Sequence, residues 1–108
     1  MLFRSLHELK KEGRVRYVGV TTTSNSQYEQ LEQIMRSEPL DFIGIDYAID
    51  NRMAEERIFP LARDRGIAVM VYLPFGRRRM WQRIGERELP DWTSEFDVST
   101  WEIGRAHV

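Results

Sequence analysis

The side chains able to do chemistry in this 108-residue chain gather at three places. Asp46 and Asp50 lie close together, where a carboxylate can serve as a general base or a metal ligand. No histidine stands near them, so a metal site lacks imidazole support. By residue type, Asp46 is read as bonding neighbouring backbone or a nearby side chain, and Asp50 as part of a turn. Tyr72 offers a flat ring and a phenol, which residue type alone assigns to a core tyrosine with a satisfied hydroxyl. Arg77-Arg78-Arg79 brings planar forks suited to phosphate, or a solvated basic turn. Thr21 and Thr22 add two hydroxyls. His7 falls on the polar side of a helix, and Trp81, Trp92 and Trp101 read first as packing residues and second as pocket walls.

These groups are tied together by the elements that carry them. Val15–Val20, Asp41–Asp46 and Ile67–Tyr72 are short apolar runs that start 26 residues apart, each followed by an amphipathic stretch. Such runs read as buried strands, and strand plus helix at a fixed period reads as a repeating βα unit with a parallel sheet. In folds of this kind chemistry sits at the carboxyl ends of the strands. Those ends are Thr21-Thr22, Asp46-Tyr47 and Tyr72-Leu73.

Between the strands the pattern predicts a helix over Ser5–Glu12 stopped by Gly13. A second helix opens with a capping box of Ser26 and Glu29 and carries the stripe Tyr28, Leu31, Ile34 and Met35. A third spans about Met53 to Arg65, with Pro60 kinking it or delaying its regular part and Gly66 ending it. Pro90 opens a short helix carrying Trp92 and Phe96, and Ser99 caps another at Thr100-Trp101.

Composition sets the outer bounds. With 42% hydrophobic and 31% charged residues the chain is not of a disordered type. A net charge of −1 makes no electrostatic case for nucleic acid or an anionic membrane, and no apolar run approaches a membrane span. The absence of cysteine excludes disulfides and thiolate metal sites, and no metal ligands are assigned. A closed eight-unit barrel needs about 250 residues, so three units form an open sheet or part of something larger.

Leu9–Val20, Asp46-Tyr47, Asn51-Arg52, Ile58–Ala62, Arg65–Val69 and Tyr72–Arg77 together resemble, in order, the fifth to seventh strands of the aldo-keto reductases. The likeness covers roughly Leu6 to Trp101. It implies α/β architecture: a partial (β/α)8 TIM barrel of about three βα units with parallel strands. It also implies an NADP(H)- or NAD(H)-dependent oxidoreductase that interconverts carbonyls and alcohols, acting on a small-molecule carbonyl or alcohol. A cytoplasmic setting is the corresponding expectation. The family's catalytic Asp, Tyr, Lys and His lie on earlier strands, so no catalytic residue is assigned here and the segment alone is expected to be inactive.

The resemblance also assigns cofactor-binding positions. Tyr72 matches the ring that stacks on the nicotinamide. Thr21 and Thr22 match a Ser-Asn pair that bonds the carboxamide, with Thr22 departing from the amide. Leu73, Pro74, Phe75, Gly76 and Arg77 match the loop along the pyrophosphate, where Leu73 replaces a serine. Gly44 stands where the family often has Gln, leaving space for a ligand or for close packing.

Met1–Ser5 matches translation of GTG CTC TTC CGA TCT, and Glu102–Val108 matches translation of GAG ATC GGA AGA GCA CAC GTC; both resemble sequencing-adapter DNA. The expectation is therefore artefactual ends at 1–5 and 102–108 around a partial reductase barrel over 6–101. Two other readings stay open: a non-catalytic reductase-like barrel acting as a cofactor sensor or partner subunit, and an unrelated βα-barrel hydrolase.

Overall fold

A computed structural model describes residues 2–101. In chain order it gives α1 (Leu2–Lys11), β1 (Gly19–Thr21), α2 (Tyr28–Ser37), β2 (Phe42–Asp46), α3 (Ile58–Arg65), β3 (Ala68–Tyr72) and α4 (Arg79–Ile84). Short 3-10 turns occupy Asn25–Gln27, Met53–Glu55 and Asp91–Phe96. The three strands form one parallel sheet in the order β1-β2-β3. That is the expected α/β arrangement of part of a (β/α)8 barrel, with α2 and α3 as the crossovers between neighbours.

Alternation along β2 decides where the core lies. Ile43 and Ile45 are fully buried and join Leu31 and Met35 of α2 and Ile58 and Leu61 of α3. Burying each such side chain contributes about 1.5–3 kcal/mol. The intervening Phe42, Gly44 and Asp46 therefore project to the opposite face, away from the layer of α2 and α3. On β3 the same alternation runs with less cover, and Val69, Met70 and Val71 are all exposed.

Several local readings hold. Gly66 follows α3 with φ of 66°, a left-handed position that costs glycine nothing, and its N–H closes onto the carbonyls of Ala62 and Arg63. Regular α-helix begins only at Ile58, after the 3-10 turn at Met53–Glu55, so Pro60 sits in the first turn, where a missing donor is harmless. Pro90 precedes a turn holding Trp92 and Phe96, whose rings meet edge to face at 6.3 Å.

Two readings need correction. The first strand is Gly19–Thr21, not Val15–Val20. Leu9 O takes the N–H of Arg14 and Val15 (2.9 and 3.4 Å), so this stretch completes the turn out of α1 at Gly13. Val18 N then donates to the Asp41 carboxylate (2.9 Å) before the ladder starts. Ser24 caps the 3-10 turn ahead of α2, its hydroxyl accepting from Ser26 N at 3.3 Å, and α2 follows Gln27 with no side-chain cap, so the Ser26–Glu29 box does not form. The expected helix at Thr100-Trp101 reaches the limit of the described residues; the 102–108 segment, His107 included, and Met1 lie outside them.

Candidate functional site

Register assembles the carboxyl rim of the sheet. Thr21, Gly44 and Met70 are aligned partners across the three strands, and Asp46 is aligned with Tyr72. In a parallel sheet aligned partners share a face, so Thr21, Gly44, Asp46 and Tyr72 belong to the face turned away from α2 and α3. Their closeness is measurable at Gly44. A Cβ placed there would lie 2.7 Å from Thr21 Cγ2 and 3.3 Å from Tyr72 Cε1. The missing side chain is thus filled by close packing: the Tyr72 ring leans back over Gly44 toward Thr21.

Buried polar atoms gather near this rim. Among the described residues Thr22 Oγ1, Tyr28 OH, Asp46 Oδ1 and Tyr72 OH are buried with no hydrogen-bond partner. Burial pushes the Tyr28 phenol up to about 12, and the Asp46 carboxylate and Tyr72 add to the rise. Burial also raises Tyr72; the adjacent Thr22 hydroxyl pulls it partly back, and Asp46 raises it further. Thr22 is 5% exposed, and its backbone N–H donates to Gly44 O at 3.0 Å, which fixes its side chain at the end of the ladder. Thr21 remains exposed.

Asparagines clasp the loops of this rim. Asn25 and Asn51 exchange side-chain amide bonds (3.2 and 3.3 Å), and Asn51 also donates to Asp46 Oδ2 at 2.7 Å. Asp46 is therefore held on one oxygen and open on the other. Beside it Tyr47 donates to Glu55, which also takes two bonds from Arg52 (2.9 and 2.8 Å). Tyr47 and Arg52 hold the Glu55 carboxyl below its usual range.

The loop after β3 is built from unusual backbone. Leu73, Gly76 and Arg77 have φ of 56°, 59° and 60°. Gly76 N closes a turn onto Leu73 O at 2.8 Å, and Phe75 packs on Trp81 with ring centroids 5.3 Å apart. Leu73 and Phe75 are half-buried and Gly76 is buried, whereas Pro74 and Arg77 are exposed. Arg79 is bound instead: its Nε and one terminal nitrogen donate to the two oxygens of Asp50 at 2.6 and 3.1 Å. Tyr72, Thr21 and Thr22 are thus brought together, while Leu73–Arg77 forms an adjoining loop. Among the described residues no group of three or more His, Cys, Asp or Glu side chains suits a metal ion.

Sequence reasoning missed Tyr28 as a rim residue, because its place in the α2 stripe assigned it to the core. It also missed the Asn25–Asn51 clasp, although the two asparagines sit one repeat apart. In the sequence Arg79 reads as one of a basic run and Asp50 as part of a turn; nothing local joins residues 29 apart.

The aldo/keto reductase family profile matches residues 1–90. Over 69 residues the chain is 38% identical to the NADH-specific methylglyoxal reductase of Escherichia coli (strain K12), covering 64% of this chain and 20% of that protein. Over 72 residues it is 33% identical to probable aldo-keto reductase 1 of Glycine max, covering 67% of this chain and 20% of that protein. The chain therefore spans about a fifth of the length of these relatives. With the profile running through all three strands, and those strands parallel and in succession, the chain belongs to the aldo/keto reductase family.

Proposed function

We propose that this chain is part of a nicotinamide-dependent carbonyl reductase and supplies one wall of its cofactor site. The supporting observation is the placement of the Tyr72 ring over Gly44 beside Thr21, at the carboxyl rim. An aromatic plate orients a flat ring without consuming its hydrogen-bonding groups. The open hydroxyls of Thr22 and Tyr72 favour the same reading, since an unmet buried hydroxyl costs about 1–3 kcal/mol and gains by meeting a ligand's polar edge. The Leu73–Arg77 loop would lie along the pyrophosphate, with exposed Arg77 offering its fork.

The cofactor is NADH or NADPH, and the substrate a small carbonyl compound or the corresponding alcohol. When bound, the reduced nicotinamide supplies hydride. The residues of this segment orient its ring and hold its phosphates, while the proton donor belongs to the upstream barrel units. The test is Tyr72→Ala in the intact reductase that carries this segment. Loss of one stacking contact of about 0.5–1.5 kcal/mol predicts cofactor affinity roughly two- to twelvefold weaker. Unchanged cofactor affinity together with unchanged turnover would overturn the assignment.

The departures at Thr22, Gly44 and Leu73 favour a second reading, a barrel that binds cofactor without turnover. An intact Asp, Tyr, Lys and His set in the upstream units decides for the reductase.

A further inference from the structure

The loop after β3 and the start of α4 carry Arg77, Arg78, Arg79 and Arg83. Among the described residues only Arg79 and Arg83 of these four form ion pairs, and both do so with Asp50. The Asp50 side chain is 6% exposed, a rare setting for a carboxylate. It comes from the loop after β2, so the contact bridges two neighbouring rim loops. Arg79 meets it through two nitrogens, at 2.6 and 3.1 Å, and Arg83 stands 3.9 Å away. The Arg79 guanidinium lies against Gly76, where an added Cβ would come within 2.4 Å of a terminal nitrogen. The arginine is thus seated on the loop backbone at the point where no side chain blocks it. Arg77 and Arg78 are exposed.

A carboxylate gripped by a guanidinium fork presents the same two-oxygen edge that a phosphate presents. Asp50 and a phosphate oxygen pair are therefore competitors for one donor set. We propose that Asp50 is a resident counter-anion: it occupies Arg79 in place of a phosphate, and so limits the anion charge that this loop accepts to what Arg77 and Arg78 can meet. The inference rests on reading this loop as the pyrophosphate cradle, and it makes Asp50 a specificity-determining position for that cradle.

The test is calorimetric titration of inorganic pyrophosphate, NADH and NADPH into the full chain and its variants. Asp50→Asn releases Arg79 while preserving shape, and pyrophosphate is expected to bind about tenfold more tightly, the worth of one hydrogen bond to a charged group. The double variant Asp50→Asn, Arg79→Gln is expected to lose that gain. In the unaltered chain, pyrophosphate should shift the Nε–H NMR signals of Arg77 and Arg78 and leave that of Arg79 in place, a readout independent of how the variant folds. Equal affinity in Asp50→Asn and the unaltered chain, a gain that survives in the double variant, or movement of the Arg79 signal in the unaltered chain would each overturn the proposal. No measurable pyrophosphate binding by either protein would overturn it too. If Asp50→Asn gains pyrophosphate affinity while neither dinucleotide binds, the counter-anion stands and the nicotinamide reading falls; the reverse pattern separates them the other way.

Discussion

At Gly44 the space a side chain would fill is taken by the Tyr72 ring and the Thr21 methyl group. Gly44→Gln should therefore overpack the rim. The expected cost is about 1–3 kcal/mol of stability, read by urea denaturation of the chain. A neutral or stabilising outcome would mean that the ring and methyl move aside freely. That Thr21-Thr22, Asp46-Tyr47 and Tyr72-Leu73 share one rim was legible in the sequence, because successive parallel strands bring their carboxyl ends together; the fit of the Tyr72 ring over Gly44 was not. Tyr28 was not legible: a phenol at the first turn of α2 can serve the core or the rim, and only the geometry decides. The Asp50–Arg79 pair was equally hidden, since attraction between two loops leaves no periodic trace.

Elements are joined at the opposite end of the sheet by a carboxylate of α1's partner loop. Lys10 donates to both oxygens of Asp41 at 2.9 and 2.7 Å, and Val18 N donates to one of them at 2.9 Å. The Lys10 bond first, and the Val18 bond second, hold the Asp41 carboxyl below its ordinary value. Its folded pKa is therefore lower than its unfolded one of about 3.9. The contribution is fully present above the unfolded value and is lost as pH falls through the folded one. Asp41→Asn should lower stability at neutral pH and flatten the acid limb of a stability–pH profile, both measurable by denaturant titration between neutral and acid pH. An unchanged acid limb would assign that loss to other carboxylates. Helix ends were well legible here: glycine and proline act through local backbone geometry, which is why Gly66 and Pro60 read correctly. Val15–Val18 misled because β-branched residues suit a strand, yet tertiary contacts with α1 and Asp41 take precedence.

The molecule as a whole is elongated. Its radius of gyration is 18.2 Å and its extents are 56 × 28 × 24 Å, against about 13 Å for a compact domain of 100 residues. Apolar surface is left uncovered at β3, where Val69 and Val71 on one face and Met70 on the other are all exposed. An outer strand with apolar side chains and unpaired backbone groups recruits further chain. The chain by itself should self-associate, and Val69→Lys with Val71→Lys should shift sedimentation toward monomer. A monomeric unaltered chain with a sharp melting transition would contradict this. Among the described residues no helix is long and apolar enough to cross a membrane, so the exposed surface is not that of a spanning helix.

The asparagine clasp at the rim has a consequence of its own. Its two members lie 26 residues apart, one in the loop after β1 and the other in the loop after β2, so each connecting segment grips its neighbour. Cohesion there is passed sideways from one module to the next, with no central hub. Adding or deleting a single residue in either connecting segment would put the two amides out of phase while leaving both modules individually sound.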